Sequence, residues 1–231
     1  MLQLDRLTLT QGSFSLTADW RVESGSRIAI LGPSGGGKST LLSAIAGIVA
    51  PTAGRILWQG RDITAIPPGQ RPVSILFQDQ NLFPHLTVAQ NLGLGLSPTL
   101  RLAPGDAARI ETVLARTGLS GMGSRKPGSL SGGQQGRVAL ARTLLRARPI
   151  LLLDEPFAAL GPALKAEMLA LLVEVARDTG ALTLLVTHTP EEARAFAPLT
   201  VLVADGIAHP PLPTNDLLAH PPPALVAYLG R

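Results

Sequence analysis

The sequence predicts an α/β fold with a mostly parallel sheet, on three observations. Short apolar runs alternate with stretches of helical periodicity, the pattern of strands joined by crossover helices. A glycine-rich turn links one such run to a helix. A second run ends on two adjacent carboxylates.

The elements follow in order. Residues 27–31 (RIAIL) read as a short buried strand ending at the glycine-rich turn. Residues 40–48 then have helical spacing, with Leu41, Leu42, Ile45 and Ile48 on one face. Residues 150–153 form an apolar run closed by Asp154, Glu155 and Pro156. Residues 162–176 repeat Leu164, Met168, Leu171, Leu172 and Val175 at helical intervals. Residues 181–186 are a buried-strand candidate that stops at Thr187 and His188, and residues 199–204 are another. Such alternation places a parallel sheet under helices on both faces. Between residues 77 and 149 β-branched runs are few, and helical patterns fall at 107–117 and 134–147. This stretch reads as a mostly helical subdomain (about 78–149) set into an α/β core formed by about 1–77 and 150–231. Residues 209–213 and 220–223 are proline-rich and read as a loose surface tail.

Composition narrows the function classes. With 231 residues the chain fits one domain with a full core. Hydrophobic residues at 45% and charged residues at 16% exclude an intrinsically disordered chain. Cysteine is absent, which excludes a disulfide scaffold, a thiolate metal site and a cysteine nucleophile. The first ten residues have no basic-then-apolar leader pattern, and no run approaches the ~18 apolar residues of a membrane span. Aromatics at 3% argue against base-stacking platforms. The net charge is +4, and Arg125, Lys126, Arg137, Arg142, Arg146 and Arg148 occupy a stretch free of acids. That stretch reads as a solvated helix face with cations toward its C-terminus, or as a surface for an anionic partner. No nucleic-acid motif accompanies it, so no nucleic-acid partner is expected.

Gly32, Pro33, Ser34, Gly35, Gly36, Gly37, Lys38, Ser39 and Thr40 satisfy G-x-x-x-x-G-K-[ST] between a strand and a helix. Small residues there let backbone N–H groups turn inward around phosphate oxygens, and the helix adds its positive N-terminus. Lys38 can reach the outer phosphates, and Ser39 is placed to hold Mg²⁺. The run 150–153 delivers Asp154 beside that turn, where it would hold Mg²⁺ through water. Glu155, the next residue, points elsewhere and can act as a general base. His188 ends a parallel strand on the same edge, although a histidine there also reads as structural when taken alone. Ser131 is a good N-cap ahead of Gly132, Gly133 and Gln134. That segment is either a plain capped helix start or a second anion-binding edge.

These motifs resemble one family. The Lys38 loop, Gln78, residues 130–134 (LSGGQ), Asp154-Glu155 and His188 stand in the order and spacing of the ATP-binding subunits of ABC transporters, over essentially the whole chain. The resemblance implies a P-loop NTPase of the ABC type: a mostly parallel core, N-terminal antiparallel strands and a helical subdomain in one ATP-binding domain. It implies ATP and Mg²⁺, with Ser39, Gln78 and Asp154 around the metal and Gln78 sensing metal and water. It makes Glu155 the catalytic base and His188 the residue that contacts the γ-phosphate. It implies a homodimer in which Ser131, Gly132, Gly133 and Gln134 of one copy face the nucleotide on the other. A membrane permease and, indirectly, a periplasmic substrate-binding protein are the further partners, on the cytoplasmic face of a bacterial inner membrane. Residues 71–96 are similar to the ATP-binding subunits of bacterial thiamine importers. Importers of iron, molybdate or polyamines share much of that pattern, and an exporter is the other alternative. Phe83 and Leu86 are candidates for a groove that receives the permease.

Three positions depart from the family pattern. Gly161 stands in the segment 158–162 where an aspartate is usual. Gly136 replaces a polar residue inside a helix, at a cost of ~0.5–1 kcal/mol against alanine. No aromatic occupies residues 9–11, which leaves Phe14 as the substitute for stacking on adenine.

Overall fold

A computed structural model describes residues 1–78, 81–158 and 160–229. The chain opens with β1 (Leu2–Gln11) and β2 (Phe14–Val22), paired antiparallel. Leu2, Leu4, Leu7 and Leu9 on β1 and Leu16, Ala18, Trp20 and Val22 on β2 are buried. This alternation is what a sheet with one covered face requires. β3 (Arg27–Leu31) leads through the glycine-rich turn into α1 (Lys38–Ala46). β4 (Ala53–Trp58) and β5 (Arg61–Asp62) extend the antiparallel arm beyond β1. β6 (Val73–Leu76) precedes three helices: α2 (Val88–Leu96), α3 (Asp106–Arg116) and α4 (Gly132–Leu145). The chain then returns to the sheet as β7 (Ile150–Asp154), α5 (Pro162–Thr179), β8 (Leu182–Val186), α6 (Pro190–Phe196) and β9 (Leu199–Ala204). It continues as β10 (Ile207–Ala208), β11 (Leu212–Pro213), α7 (Thr214–Ala219) and α8 (Pro223–Leu229).

The sheet runs β5-β4-β1-β2-β10-β9-β3-β8-β7-β6, with β11 on β9. The portion β9-β3-β8-β7-β6 is parallel throughout, so the ends of β3, β8, β7 and β6 share one edge. Alternate residues of these strands feed two cores. Ile28, Ile30, Ile150, Leu152, Leu184 and Val186 pack with α1 and the antiparallel arm. Ala29, Leu31, Leu151, Leu153 and Leu185 pack with Met168 and Leu172 of α5 and Phe196 of α6. Both faces of the parallel sheet are therefore covered, as the continuous apolar runs require. The helical subdomain has a cluster of its own, in which Leu92, Ile110, Leu114 and Val138 meet.

Two differences from the sequence reading have simple causes. α1 begins at Lys38 and ends at Ala46, because Gly47 takes a left-handed conformation that stops the helix. Ile48 is thereby left exposed instead of on the buried face. The proline-rich tail is not loose. β11 pairs with β9, and Leu217, Leu218 and Leu225 are buried against the second core. The prolines there flank two short helices whose apolar residues find the sheet, and turn composition alone does not reveal that. Ala159, in the segment that carries Gly161, lies outside the described residues.

Candidate active site

Four glycines, Gly32, Gly35, Gly36 and Gly37, shape the loop after β3, and two of them combine positive φ with close approach. Gly32 has φ 152, and a side chain there would strike the Val203 carbonyl. Gly37 has φ 101, and a Cβ would lie 2.6 Å from Phe14 Cζ. The ring of Phe14 therefore closes one side of the loop. Within the loop the Gly36 N–H donates to the Pro33 carbonyl at 3.1 Å. Lys38 is buried, and its Nζ donates to the carbonyls of Gly32 (2.8 Å) and Pro33 (2.9 Å). Burial pushes its pKa down, and the charges of Glu155 and Asp154 pull it back up. Phosphate oxygens would replace the two carbonyls as partners for this ammonium.

The strand ends converge on the same loop. Asp154 pairs with Val186 in the sheet, and the Glu155 N–H donates to the Val186 carbonyl at 3.2 Å. The Thr187 N–H donates to the Ile30 carbonyl at 3.2 Å, which stitches the end of β8 to β3. Ser39 Oγ donates to Asp154 Oδ1 at 3.1 Å. Burial raises the pKa of Asp154, the Ser39 hydrogen bond opposes that, and the neighbouring Glu155 adds to it. Glu155 sits at φ 45, a left-handed conformation that costs a non-glycine residue about 1–2 kcal/mol. That turn aims its carboxylate away from Asp154 and toward His188, whose Nδ1 lies 3.4 Å from Glu155 Oε2.

A cavity of about 510 Å³ opens between these groups. Ser34, Gly35, Gly37, Lys38, Ser39, Thr40, Gln78 and Glu155 line it, with Gln11 and Phe14; Asp154 and His188 are not among its walls. Gln11 was not singled out from sequence, because a polar residue ending a strand has no distinguishing pattern. The pair Ser39 and Asp154 presents hard oxygen donors, which suits Mg²⁺ shared with a substrate's phosphates more than an all-protein cage. Among the described residues no cluster of three histidine, aspartate or glutamate side chains could hold a metal unaided.

Ser131, Gly132, Gly133 and Gln134 form the tip of α4 and are not among the residues that line this cavity. Ser131 and Gln134 cap the helix reciprocally. The Gln134 N–H donates to Ser131 Oγ at 3.3 Å, and the Ser131 N–H donates to Gln134 Oε1 at 3.0 Å. Gly133 is buried against Leu164 of α5, where a side chain would collide. One copy of the chain thus carries the glycine-rich loop around Lys38 and, apart from it, a helix tip on which Ser131 and Gly132 are exposed and Gly133 is buried.

The model of the family described as "ABC transporter" matches residues 17–158. The chain belongs to the ABC transporter family. It is 70% identical over its whole length to the full thiamine import ATP-binding protein of Cereibacter sphaeroides. It is 55% identical, also over the whole of both chains, to the thiamine import ATP-binding protein of Ruegeria. Among solved structures it resembles a dimeric ATP-binding cassette in a post-hydrolysis state bound to ADP and Pi. There the TM-score is 0.81 and the identity 29%, covering 93% of this chain and 99% of the other. The family's P-loop architecture is the one described above, with its antiparallel arm and its helical subdomain. No helix among the described residues is long and apolar enough to cross a membrane.

The exposed ring of Phe83 lines a groove of about 310 Å³ with Phe77, Asn81, Leu94, Arg142 and Arg146, where the subdomain meets the core. Leu86 is half-buried and is not among its walls. Buried Asn91 holds the loop that presents Phe83. Its Oδ1 accepts from the Phe83 N–H at 2.8 Å, and its Nδ2 donates to the Phe83 carbonyl at 3.0 Å. The basic stretch is not uniformly solvated. Arg142 donates to the Asn81 carbonyl at 2.8 Å, and burial lowers its pKa.

Proposed function

We propose that the chain is the ATP-hydrolysing subunit that energises a bacterial thiamine importer. One observation carries the substrate: end-to-end identity of 70% to a thiamine import ATP-binding protein, with no segment of either chain left over. The subunit itself never touches the transported molecule, so only such kinship can name it.

The site residues divide the work as follows. Loop N–H groups and Lys38 hold the phosphates and neutralise their charge. Ser39, Asp154 and Gln78 would hold Mg²⁺, which would offset negative charge on the phosphates. Glu155 takes the proton of the attacking water at its carboxylate, and His188 contacts the γ-phosphate beside it. Phe14 stacks on the base. Ser131, Gly132, Gly133 and Gln134 of a second copy cover the phosphates from the open side, with the bare helix tip directed at negative charge. ATP then closes the homodimer, and hydrolysis reopens it. The groove beside Phe83 receives a permease on the cytoplasmic face of the inner membrane, and a periplasmic binding protein delivers the substrate to that permease.

The test is uptake of labelled thiamine by cells that lack this chain. Uptake fails in them, returns with the wild-type chain and does not return with Lys38→Ala. Normal thiamine uptake, with loss of iron, molybdate or polyamine uptake instead, overturns the substrate assignment.

A further inference from the structure

Tyr228 is the only tyrosine of the chain, and no motif draws attention to it. It lies on α8, which packs on the second core through fully buried Leu225 and half-buried Ala224. From there its hydroxyl donates to the main-chain carbonyl of His188 at 2.8 Å. We propose that Tyr228 is a positioning residue for ATP turnover: by holding the His188 carbonyl it fixes the imidazole against Glu155. The proposal rests on the site reading above and extends it to an element 40 residues further along the chain.

The surroundings of His188 explain why one hydroxyl matters. The residues on either side are already tethered. The Thr187 hydroxyl donates to Glu192 Oε2 at 2.5 Å, and the Thr189 N–H donates to Thr187 Oγ1 at 3.1 Å. Glu192 is held in turn by Lys165, with Nζ 2.8 Å from its Oε1. The His188 side chain is half-exposed, and its Nδ1 stands 3.4 Å from Glu155 Oε2. Its orientation depends also on the peptide plane that carries it, and the Tyr228 hydrogen bond is what fixes that plane on the α8 side. Burial, and then the charge of Glu155, raise the pKa of Tyr228, so its hydroxyl remains a donor around neutral pH. The hydroxyl thus ties α8 to the main chain at the edge of the site.

Tyr228→Phe keeps the ring and removes only the donor. Expected is a fall in kcat of about 3- to 10-fold, with KM for ATP and Tm unchanged. Tyr228→Leu should match it in kcat. Ring-labelled tyrosine gives a single NMR signal in this chain, and that signal should shift when a non-hydrolysable ATP analogue binds. Wild-type kcat in Tyr228→Phe, a KM that rises in step with the loss, or an unmoved tyrosine signal overturns the assignment. So does a loss confined to Tyr228→Leu, which would leave packing as the sole role. His188→Ala run alongside separates the two levels. If it turns over normally, the site reading falls and this one with it. If it is dead while Tyr228→Phe is wild-type, only the Tyr228 assignment falls.

Discussion

Ser39 Oγ donates to Asp154 Oδ1 at 3.1 Å, joining the first turn of α1 to the end of β7 across 115 residues. The bond places a hydroxyl and a carboxylate where an Mg²⁺ ion and two phosphates would otherwise share the charge. Asp154 is a half-buried carboxylate with the Ser39 donor, the like charge of Glu155 and the opposite charge of Lys38 near it, and burial raises its pKa.

Asp154→Asn should separate stability from activity. A carboxyl whose pKa is raised in the folded state stabilises the protein at acid pH, and that contribution is lost as pH rises through the folded value. At neutral pH the ionised group therefore opposes folding of the nucleotide-free chain. The asparagine variant should melt slightly higher than wild type at pH 7, and the gap should close toward pH 4. Turnover should drop on the order of 10²-fold, because the metal loses its carboxylate. Thermal melts across pH with and without Mg-ATP check both halves. A lower Tm at neutral pH would contradict the electrostatic account.

Glu155→Gln should leave the fold untouched, since glutamine enters the same left-handed turn at φ 45 with the same side-chain shape. Loss of the general base should slow hydrolysis by about 10²–10⁴-fold. ATP should then hold two copies together long enough to elute as a dimer in gel filtration. A variant that hydrolyses ATP normally, or stays monomeric with bound ATP, removes Glu155 from the base role.

Much of this site was legible because its chemistry demands local patterns. The Lys38 loop needs small residues at fixed spacing. Asp154 and His188 need apolar strands that stop at one sheet edge, and β3, β7 and β8 fall where their apolar runs do. What escaped has no local pattern. Gln11 reaches the cavity because the β1–β2 arm folds over the loop, a pairing fixed by distant β10 and β4. Tyr228 reaches His188 because α8 buries Leu225 under prolines that read as surface. The helical subdomain was readable from its poverty of β-branched runs, although α2 was not, since Gly93 and Gly95 interrupt its pattern.

Arg71 predicts a large effect on stability away from the chemistry. It is fully buried, and its guanidinium donates to the carbonyls of Ala44 (2.8 Å), Ile45 (2.9 Å), Ile66 (2.8 Å) and Thr64 (2.6 Å). The first two are last-turn carbonyls of α1, where the helix's own donors run out and only the Gly47 N–H also reaches Ala44, at 3.0 Å. Arg71→Ala strips these carbonyls of the guanidinium and leaves a void in its place, at a cost of about 3–5 kcal/mol. For a chain of this length that lowers Tm by roughly 6–20 °C. Arg71→Lys should recover little, because a lysine lacks the planar fork that reaches four acceptors. Calorimetry of both variants decides it, and a near-wild-type melt for the lysine variant would show that charge alone suffices.

Gly161 offers the reverse case, a position where adding a side chain should help. It caps α5 at φ −69 and ψ 159, a conformation open to any residue, and no side chain accepts the first-turn amides. A Cβ there meets no atom within 4 Å. Aspartate would accept from the open N–H groups and place a negative charge at the positive end of an 18-residue helix. Both effects stabilise, together by about 0.5–1 kcal/mol over glycine. Gly161→Asp should therefore raise Tm by a few degrees. Its consequence for turnover is separate: the family resemblance implies that an aspartate at this place ties the two nucleotide sites of a dimer together. If the glycine loosens that tie, the aspartate should raise the Hill coefficient for ATP in the complex with its permease. A higher melting temperature with the same Hill coefficient and rate would show that this chain couples its sites by other contacts.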